Sequence, residues 1–489
     1  MRRRRGLIAS AVGLGLLAAL LFVPEPDSVP ENPPANAPFV WGQDDVWARL
    51  ERDFDQARRR GCDVESPAID RGLEVLDGQL AVLEAEPVAP GAAQLERVER
   101  SLFDVAARFG ACIDRVPELA ERVRRLRRVT KDQSRAWSLE SGRAGRDALY
   151  RLLYGSRAAL EELLLQMDEP PELLPGTDEP SETPSVEFHG VTLHSGDILA
   201  SRGGAPTSAF IARGNDYPGN FSHIALLHVA EDGTARVIES HIESGVGVFT
   251  AEHYLEDTKL RIMVMRMRRD HPALQADPML PHRAATEAIE SAEAGHIPYD
   301  FEMDWGHPDA LFCSEVAYAA YARHDVRLWA GLSSMSAPGL TRWLASVGVR
   351  YFETLSPSDV EYDPQLRVVA EWRNADTLFD DHVDNAVLDV LLEGAERGDV
   401  IDYDGARLPL ARVVKAYSSV LNLFGEVGPI PEGMSATTGL RVGWLDARHA
   451  AIRDGIRARV ADYRREHGRR PPYWTLVTMG REAAGATAP

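Results

Sequence analysis

The chain has 489 residues, and single hydrophobic cores stop growing near about 250 to 300 residues, so two or three domains are expected. Its hydrophobic content of 44% is that of a globular protein, while 54 basic and 75 acidic side chains give a formal net charge of -21. A chain of this charge repels a phosphate backbone, which argues against a nucleic-acid partner.

The N-terminus predicts export. Four arginines follow Met1, and the run from Gly6 to Val23 carries no charge. Its length lies near the lower limit of about 17 to 25 residues for a membrane helix and exceeds that of a typical signal-peptide core. If the source is a bacterium, the positive-inside rule places the remainder outside the inner membrane. We expect residues 1–23 to anchor the protein in the membrane, with a cleaved signal and a secreted protein as the alternative.

Three segments of different character follow. Residues 24–43 are rich in proline and predict a flexible linker. Residues 44–167 carry apolar side chains three and four apart, which predicts a bundle of amphipathic helices, either a packing domain or an arm that binds a partner. Residues 168–185 are dense in Pro, Glu, Asp, Ser and Thr without apolar periodicity, so they predict a second linker and a domain boundary.

Beyond this linker the apolar pattern takes the two-residue period of strands and later returns to that of helices. The predicted strands are 186–193, 197–201, 222–229, 235–241 and 260–267, and the predicted helices are 282–294, 311–322, 377–396 and 444–466. The resulting domains are 186–375, with strands and helices, and a mostly helical region over 376–489. Small residues after Gly480 predict a tail.

The three cysteines stand at positions 62, 112 and 313, and an odd count leaves one thiol over in an oxidising compartment. Cys62 and Cys112 fall in one helical region and form either a disulfide or two unpaired buried side chains. Cys313 stands near the start of a predicted helix, with Asp309 as a candidate N-cap. The positive end of a helix dipole there favours the thiolate, which is the nucleophilic form.

A predicted hairpin upstream supplies a base for that thiol. Glu231-Asp232-Gly233 predicts a three-residue turn with glycine in the left-handed conformation. If the strands pair directly on either side of this turn, His223 lies opposite His241. Because side chains alternate between the faces of a sheet, Glu239 then shares a face with both histidines.

At these residues the sequence resembles the permuted branch of the NlpC/P60 superfamily, the YiiX/YebB-like papain-fold hydrolases. The matching motifs, in chain order, are Gly196-Asp197-Ile198-Leu199, Ser222-His223-Ile224-Ala225, Val237-Ile238-Glu239-Ser240, Pro298-Tyr299-Asp300-Phe301 and Phe312-Cys313-Ser314-Glu315. Histidine precedes cysteine, which is the permuted order. The resemblance covers residues 186–375 and implies an α+β, circularly permuted papain-like domain with an antiparallel sheet, flanked by helical regions on both sides.

The resemblance also implies roles for individual residues. Cys313 is expected to be the nucleophile, His223 the base and Glu239 the residue that orients the base. His241 competes with Glu239 for the orienting role and is otherwise expected at the substrate. Tyr299 is expected to line the substrate pocket, or else only to pack its ring in a turn.

Export and this resemblance together predict a cysteine hydrolase that cleaves an amide bond, with cell-wall peptides as the expected substrate. Two alternatives stay open: a hydrolase or acyltransferase acting on lipid-linked acyl chains at the membrane, and a non-catalytic scaffold of the cell envelope. No cofactor and no metal are expected, because the remaining histidines lack the paired spacing of zinc sites. The cluster Asp380-Asp381-His382 is expected to be exposed and polar rather than a cation site.

Overall fold

The computed structural model describes residues 21–31, 37–39, 44–140, 142–256, 258–307, 309–329 and 331–486. Most of the predicted membrane segment and part of the predicted linker at 24–43 lie outside these ranges. Among the helices in the described ranges, none combines the length and the hydropathy needed to cross a bilayer.

An N-terminal bundle covers the region where helical periodicity was found. Its helices are α1 Asp44–Arg60, α2 Cys62–Ala85, α3 Ala93–Phe109, α4 Val116–Ser134, α5 Arg143–Leu149 and α6 Gly155–Leu164, with a π turn over Tyr150–Tyr154 between the last two. The apolar positions face inward as the period requires: Leu76, Leu80 and Leu83 of α2 are all buried in the core of the bundle.

A disulfide between Cys62 and Cys112 links the first residue of α2 to the loop after α3. Of the two states that the sequence left open for this pair, the bonded one is found. Cys313 is the free cysteine. Disulfides persist in oxidising compartments, so the bond agrees with the predicted export.

The centre of the molecule is a seven-stranded sheet. The strands of the described ranges are β1 Leu173–Pro175, β2 Ser185–Phe188, β3 Val191–His194, β4 Ile198–Gly203, β5 His223–Val229, β6 Ala235–His241, β7 Gly245–Thr250, β8 Lys259–Met267, β9 Ser333–Ser334, β10 Glu353–Thr354 and β11 Leu366–Trp372. β2 pairs with β3 and β9 with β10 in two small separate sheets, and the other strands form the central sheet. The sheet has the order β1-β11-β8-β4-β5-β6-β7, and each neighbouring pair is antiparallel. The predicted α+β class with an antiparallel sheet is confirmed.

Helices cover the sheet and extend beyond it. They are α7 Pro206–Arg213, α8 Ala251–Glu256, α9 Pro272–Ala276, α10 Leu280–Ala294, α11 Cys313–Ala322, α12 Pro338–Val347, α13 Ala375–Arg397, α14 Leu408–Asn422, α15 Ala436–His467 and α16 Tyr473–Ala486. Helices α10 and α11 pack on one face of the sheet, where Ile224, Leu226 and Ala317 are buried in the same cluster. Helices α12, α13, α15 and α16 share a separate core.

Three predicted elements differ from the structure. The linker predicted at 168–185 contains β1, because its short apolar run pairs with β11 and so forms the edge of the sheet. The strand predicted at 186–193 is a hairpin, since a turn at His189-Gly190 separates β2 from β3. The tail predicted after Gly480 is the second half of α16, because Ala483 packs in the C-terminal core.

The cluster Asp380-Asp381-His382 is another correction, since its last two residues are buried. Asp381 of α13 lies 2.6 Å from Arg261 and 3.2 Å from Arg202, both on the sheet. Arg261 also lies 2.7 Å from Glu161 of α6. Burial of charge is tolerable here because each charge faces an opposite one. This ion network connects the N-terminal bundle, the sheet and α13.

Candidate active site

Cys313 is the first residue of α11, with Phe312 as its N-cap residue. The predicted cap Asp309 is wrong. The Glu315 carboxylate accepts hydrogen bonds from the N–H of Phe312 at 3.1 Å and from the N–H of Gly306 at 2.7 Å. The sulfur therefore lies at the helix N-terminus, where unpaired N–H groups and the helix dipole favour negative charge.

Backbone contacts fix the start of α11 on the sheet. The Ser240 hydroxyl of β6 donates to the Leu311 carbonyl at 2.6 Å, and the Leu311 N–H donates to the Pro298 carbonyl at 3.0 Å. The Cys313 sulfur lies 3.7 Å from the carbonyl oxygen of Ser222, which directly precedes β5. Cys313 is thus held against the ends of β5 and β6.

The β5–β6 hairpin has the register that its turn predicts. The Ala230 N–H donates to the Thr234 carbonyl at 2.9 Å. Gly233 takes a φ of 85°, the left-handed conformation that glycine adopts without strain. Ala225 pairs with Glu239, so the turn and the ladder agree.

This register brings three polar side chains together on one face. The Nε2 atom of His223 lies 2.6 Å from one oxygen of Glu239, and the Nε2 atom of His241 lies 3.0 Å from the other. The two imidazole rings have centroids 5.6 Å apart. Because Nε2 of His223 is engaged by the carboxylate, Nδ1 is the ring nitrogen left for Cys313, which lines the same cleft.

These contacts change the protonation of the site. Burial alone would lower the pKa of His223, but hydrogen bonds with Cys313 and Glu239 and the negative charge of both groups outweigh it and raise the pKa to about 9. Burial works against ionisation of Glu239 as well, yet hydrogen bonds and charge from the two histidines hold its pKa well below the ordinary value. An imidazolium beside a sulfur at a helix N-terminus is the environment in which thiols ionise.

The thiol opens onto a cleft of about 900 Å³. Cys313 is only 4% exposed, yet it lines this cleft together with His223 and His241. Tyr299 lies on the wall, where burial first and the charge of Cys313 second raise the pKa of its phenol well above the ordinary value. The two residues expected at the substrate, His241 and Tyr299, are therefore both placed at the cleft.

Part of the cleft wall comes from the C-terminal helical region, to which the sequence assigned no role. Pro429, Ile430 and Met434, in the loop after α14, line the cleft, as do Val442 and Asp446 of α15. No motif marks these residues in the sequence. Only the packing of the C-terminal helices onto the hydrolase domain brings them near the thiol.

Ser222 is a second residue whose place the sequence analysis missed. Its hydroxyl is buried, has no hydrogen-bond partner in the part of the chain that the structure describes, and belongs to a residue that lines the cleft. Its position directly before His223 was the signal available in the sequence. A hydroxyl without a partner near the sulfur can donate to an oxygen of a bound substrate.

A smaller cavity of about 110 Å³ adjoins the cleft. Ile211, Ile242, Tyr299 and Met434 line both spaces. The remaining walls of the cavity are largely apolar, and include Phe210, Phe301, Met303, Met335, Leu344, Val347 and Leu445. The cavity therefore accepts an apolar group attached to a substrate that lies in the cleft.

Among the described residues, His223, Glu239 and His241 have ligand atoms close enough to hold a metal ion, all within 4.8 Å of one another. The two ligand atoms of His223 and Glu239 are only 2.6 Å apart, whereas two tetrahedral zinc ligands, each about 2 Å from the ion, are separated by roughly 3.3 Å. The contact between His223 and Glu239 is that of a hydrogen bond.

The comparisons with known proteins agree with this geometry. No curated protein matches the chain. A family model described as permuted papain-like amidase enzyme, YaeF/YiiX, C92 family, matches residues 192–370. The match runs from β3 to β11 and so includes the hairpin, the cleft residue Tyr299 and α11, while it leaves out the N-terminal bundle and the C-terminal helices. Residues 192–370 thus form a permuted papain-like domain of the YaeF/YiiX family, and the chain is a cysteine hydrolase of the amidase type.

Proposed function

We propose that the protein is an exported amidase in which Cys313 is the nucleophile, His223 the acid and base, and Glu239 the residue that orients His223. One observation carries the proposal: the sulfur at the first residue of α11 meets an imidazole whose far nitrogen is held 2.6 Å from a buried carboxylate. The three groups come from three different elements, and the order along them is that of a nucleophile, its base and the group that orients the base.

The proposed reaction has two steps. The Cys313 thiolate attacks the amide carbon, N–H groups at the start of α11 stabilise the oxyanion, and the carbon–nitrogen bond breaks as His223 donates its proton to the leaving amine. Water then attacks the thioester with neutral His223 as base, the carbon–sulfur bond breaks, and the carboxylic acid leaves. The thiolate and the imidazolium are regenerated.

Cell-wall peptides are the proposed substrate. The predicted export segment and the disulfide both support a location in an oxidising compartment outside the inner membrane, where such peptides occur. The cleft has polar and apolar walls, as a peptide requires.

The test is release of new amino groups from peptidoglycan fragments by the purified full chain, compared with Cys313→Ala. Release by the parent and none by the variant is the expected result. No Cys313-dependent release from any fragment, while the thiol still reacts with an alkylating reagent, contradicts the cell-wall substrate and leaves the amidase chemistry standing.

A second candidate substrate is a lipid-linked acyl chain, and the apolar cavity beside the cleft favours it. Ile242 lines both spaces, so Ile242→Trp places a bulky ring at their junction. If acyl amides or thioesters are the substrates, this variant loses their turnover. If short peptides are the substrates, their turnover by Ile242→Trp stays close to that of the parent.

A further inference from the structure

Helix α14 presents an apolar face to solvent. Leu410, Val413, Tyr417, Val420 and Phe424 recur at spacings of three and four residues, which places them on one side of the helix and its C-terminal extension, and each is between 51% and 78% exposed. The α14 face is defined here by these residues together with Leu423 and Val427, which are 82% and 54% exposed.

The exposure is concentrated in this one region. Of the 15 large hydrophobic residues exposed in the described ranges, eight lie between positions 400 and 427. The other side of α14 is packed normally, since Leu408 and Ala411 are buried with Ile430 and Met434. Large exposed apolar patches on a folded domain mark surfaces that contact a partner or a membrane.

The N-terminal segment ends beside this face. The Arg412 guanidinium of α14 donates to the carbonyl of Val23 and lies 3.2 Å from the Glu25 carboxylate. Phe22 and Val23 are themselves 62% and 59% exposed. The sequence that precedes them has no charge back to Gly6. Phe22 and Val23, the last residues of this uncharged run, therefore lie beside the α14 face.

Position distinguishes between the possible occupants of the face. The basic residues of this region are already engaged, since Arg407 and Arg412 pair with Asp404 and Glu25, and the Lys415 ammonium donates to backbone carbonyls. Phe22 and Val23, beside the face, end an uncharged run from Gly6 whose length is near that of a membrane helix. A bilayer that receives this run would also meet the apolar α14 face, as it meets an interfacial helix.

We propose that the α14 face docks on the surface of a lipid bilayer, beside the point where the N-terminal segment leaves the folded body. The loop that follows the face contributes Pro429, Ile430 and Met434 to the wall of the cleft. Docking therefore holds the cleft next to the bilayer, within reach of substrates attached to it. The proposal does not depend on which bond the enzyme cleaves.

The test uses the full chain reconstituted in vesicles of phosphatidylethanolamine and phosphatidylglycerol, with or without bromine on the acyl chains. Bromine quenches an indole on contact, so Phe424→Trp and Val420→Trp report whether the face is in the bilayer. The chain has nine tryptophans, so emission is read as the difference from the parent. We expect brominated lipid to remove most of the added emission.

The matched control is Val75→Trp on α2 of the N-terminal bundle, a position that is 53% exposed. Its added emission should be insensitive to bromine. The rate of Cys313 alkylation, measured in each variant, shows that the hydrolase domain is folded and is independent of the lipid readout.

Three results overturn the proposal. The first is added emission from Phe424→Trp that is unquenched and red-shifted, as for an indole in water. The second is added emission that is unquenched but blue-shifted both in vesicles and in detergent. That result would mean that protein, either residues 6–20 or a second copy of the chain, covers the face in place of lipid. The third is quenching equal to that of Val75→Trp.

Discussion

His223 divides its two ring nitrogens between a carboxylate and a thiol, and this division sets the charge of the site. Glu239 engages Nε2 at 2.6 Å, which leaves Nδ1 for Cys313. A positively charged ring on one side of the sulfur and the N-terminus of α11 on the other both favour the thiolate. At neutral pH the His223 ring is therefore expected to carry its positive charge beside the Cys313 sulfur.

Alkylation of Cys313 tests that pair. We expect iodoacetamide to label Cys313 at least about tenfold faster in the parent than in His223→Ala at pH 7, because the variant lacks the positive charge that favours the nucleophilic form of a neighbouring thiol. The difference should shrink as pH rises through about 9, where His223 loses its proton. Mass spectrometry from pH 5 to 10 measures both rates. Equal rates at pH 7 would contradict the ion pair.

The competition between Glu239 and His241 is settled by a pair of substitutions. Glu239→Gln keeps a hydrogen-bonding group but removes a negative charge that helps to raise the pKa of His223. The pH at which the alkylation rate of Cys313 changes because His223 loses its proton should therefore fall by about one pH unit. His241 contacts Glu239 and packs its ring against that of His223, but it brings no negative charge to His223, so His241→Gln should leave this pH unchanged. An equal shift in both variants would assign the orienting role to His241 as well.

At the scale of residues, the sequence could predict what depends on strand register. A glycine turn of known length fixes which side chains face each other, so His223, Glu239 and His241 could be placed on one face before any coordinates. The cap of α11 could not be predicted in the same way. Glu315 bonds to Gly306 across a loop, and the path of that loop depends on tertiary packing.

At the scale of elements, the position of the nucleophile depends on how α11 begins. Both oxygens of Glu315 accept backbone hydrogen bonds, one from Phe312 within the helix start and one from Gly306 in the loop before it. Burial chiefly, and the neighbouring Asp300 and Asp304, raise the pKa of Glu315 to about 8, while the two hydrogen bonds oppose the rise. One side chain thus joins the helix start to its loop.

Substitution of Glu315 tests whether its hydrogen bonds hold the start of α11 to the preceding loop. Glu315→Ala leaves the buried N–H of Phe312, and the N–H of the exposed Gly306, without this acceptor. It should lower the free energy of unfolding by about 1 to 3 kcal/mol, with slower alkylation of Cys313 as the helix start shifts. Glu315→Gln keeps one acceptor oxygen and should lie between the parent and Glu315→Ala. Chemical denaturation at pH 5 measures the free energy of unfolding of each variant. A Glu315→Ala variant as stable as the parent would show that these hydrogen bonds do not stabilise the start of α11.

The same carboxyl predicts a pH dependence. An acid whose pKa is raised by folding contributes stability below its unfolded pKa, near 4.3, and loses that contribution as pH rises through about 8. Glu315→Gln has no such titration. The stability difference between the parent and Glu315→Gln should therefore shrink from pH 5 to pH 9, and a difference that grows would contradict the raised pKa.

Elements with a clear period could be predicted, and those made by pairing could not. β6 has the predicted bounds, and β5 starts one residue later than predicted. β1, β7 and β11 of the central sheet escaped prediction. β1 is three residues long and β7 is rich in glycine, while β11 was missed although its residues are typical of a strand. The strand conformation of β1 and β7 comes from partners already in the sheet.

At the scale of the whole molecule, the N-terminal bundle and the hydrolase domain share a core. Phe312, directly before the nucleophile, is buried in the same apolar cluster as Tyr150 and Leu153 of the bundle. The bundle thus packs against the residue that directly precedes α11. The linker composition at 168–185 marks a boundary along the chain, but the packing joins the regions on either side of it.

Glu161 connects the same regions through charge, and its removal provides the last test. It lies 2.7 Å from Arg261 and is also paired with Arg373 and Arg157, all buried. Each of these arginines also faces a second carboxylate, from Asp381, Glu371 and Glu361 respectively. Glu161→Ala removes one of the two and should cost about 3 kcal/mol, because positive charge in the buried network is then only partly compensated.

The free energy of unfolding lost in Glu161→Ala should depend on pH as expected for a carboxyl group whose pKa is lowered by folding. Burial works against the charge of Glu161, but the arginines hold its pKa well below the ordinary value, so its contribution is present above the unfolded pKa near 4.3 and is lost as pH falls. The matched control is Glu121→Ala, an exposed pair with Arg124, which should change stability by less than about 1 kcal/mol. Denaturation followed by circular dichroism at pH 7 measures both variants. Equal losses in the two would mean that the buried network does not join the domains, and the bundle and the hydrolase domain would then be expected to unfold separately.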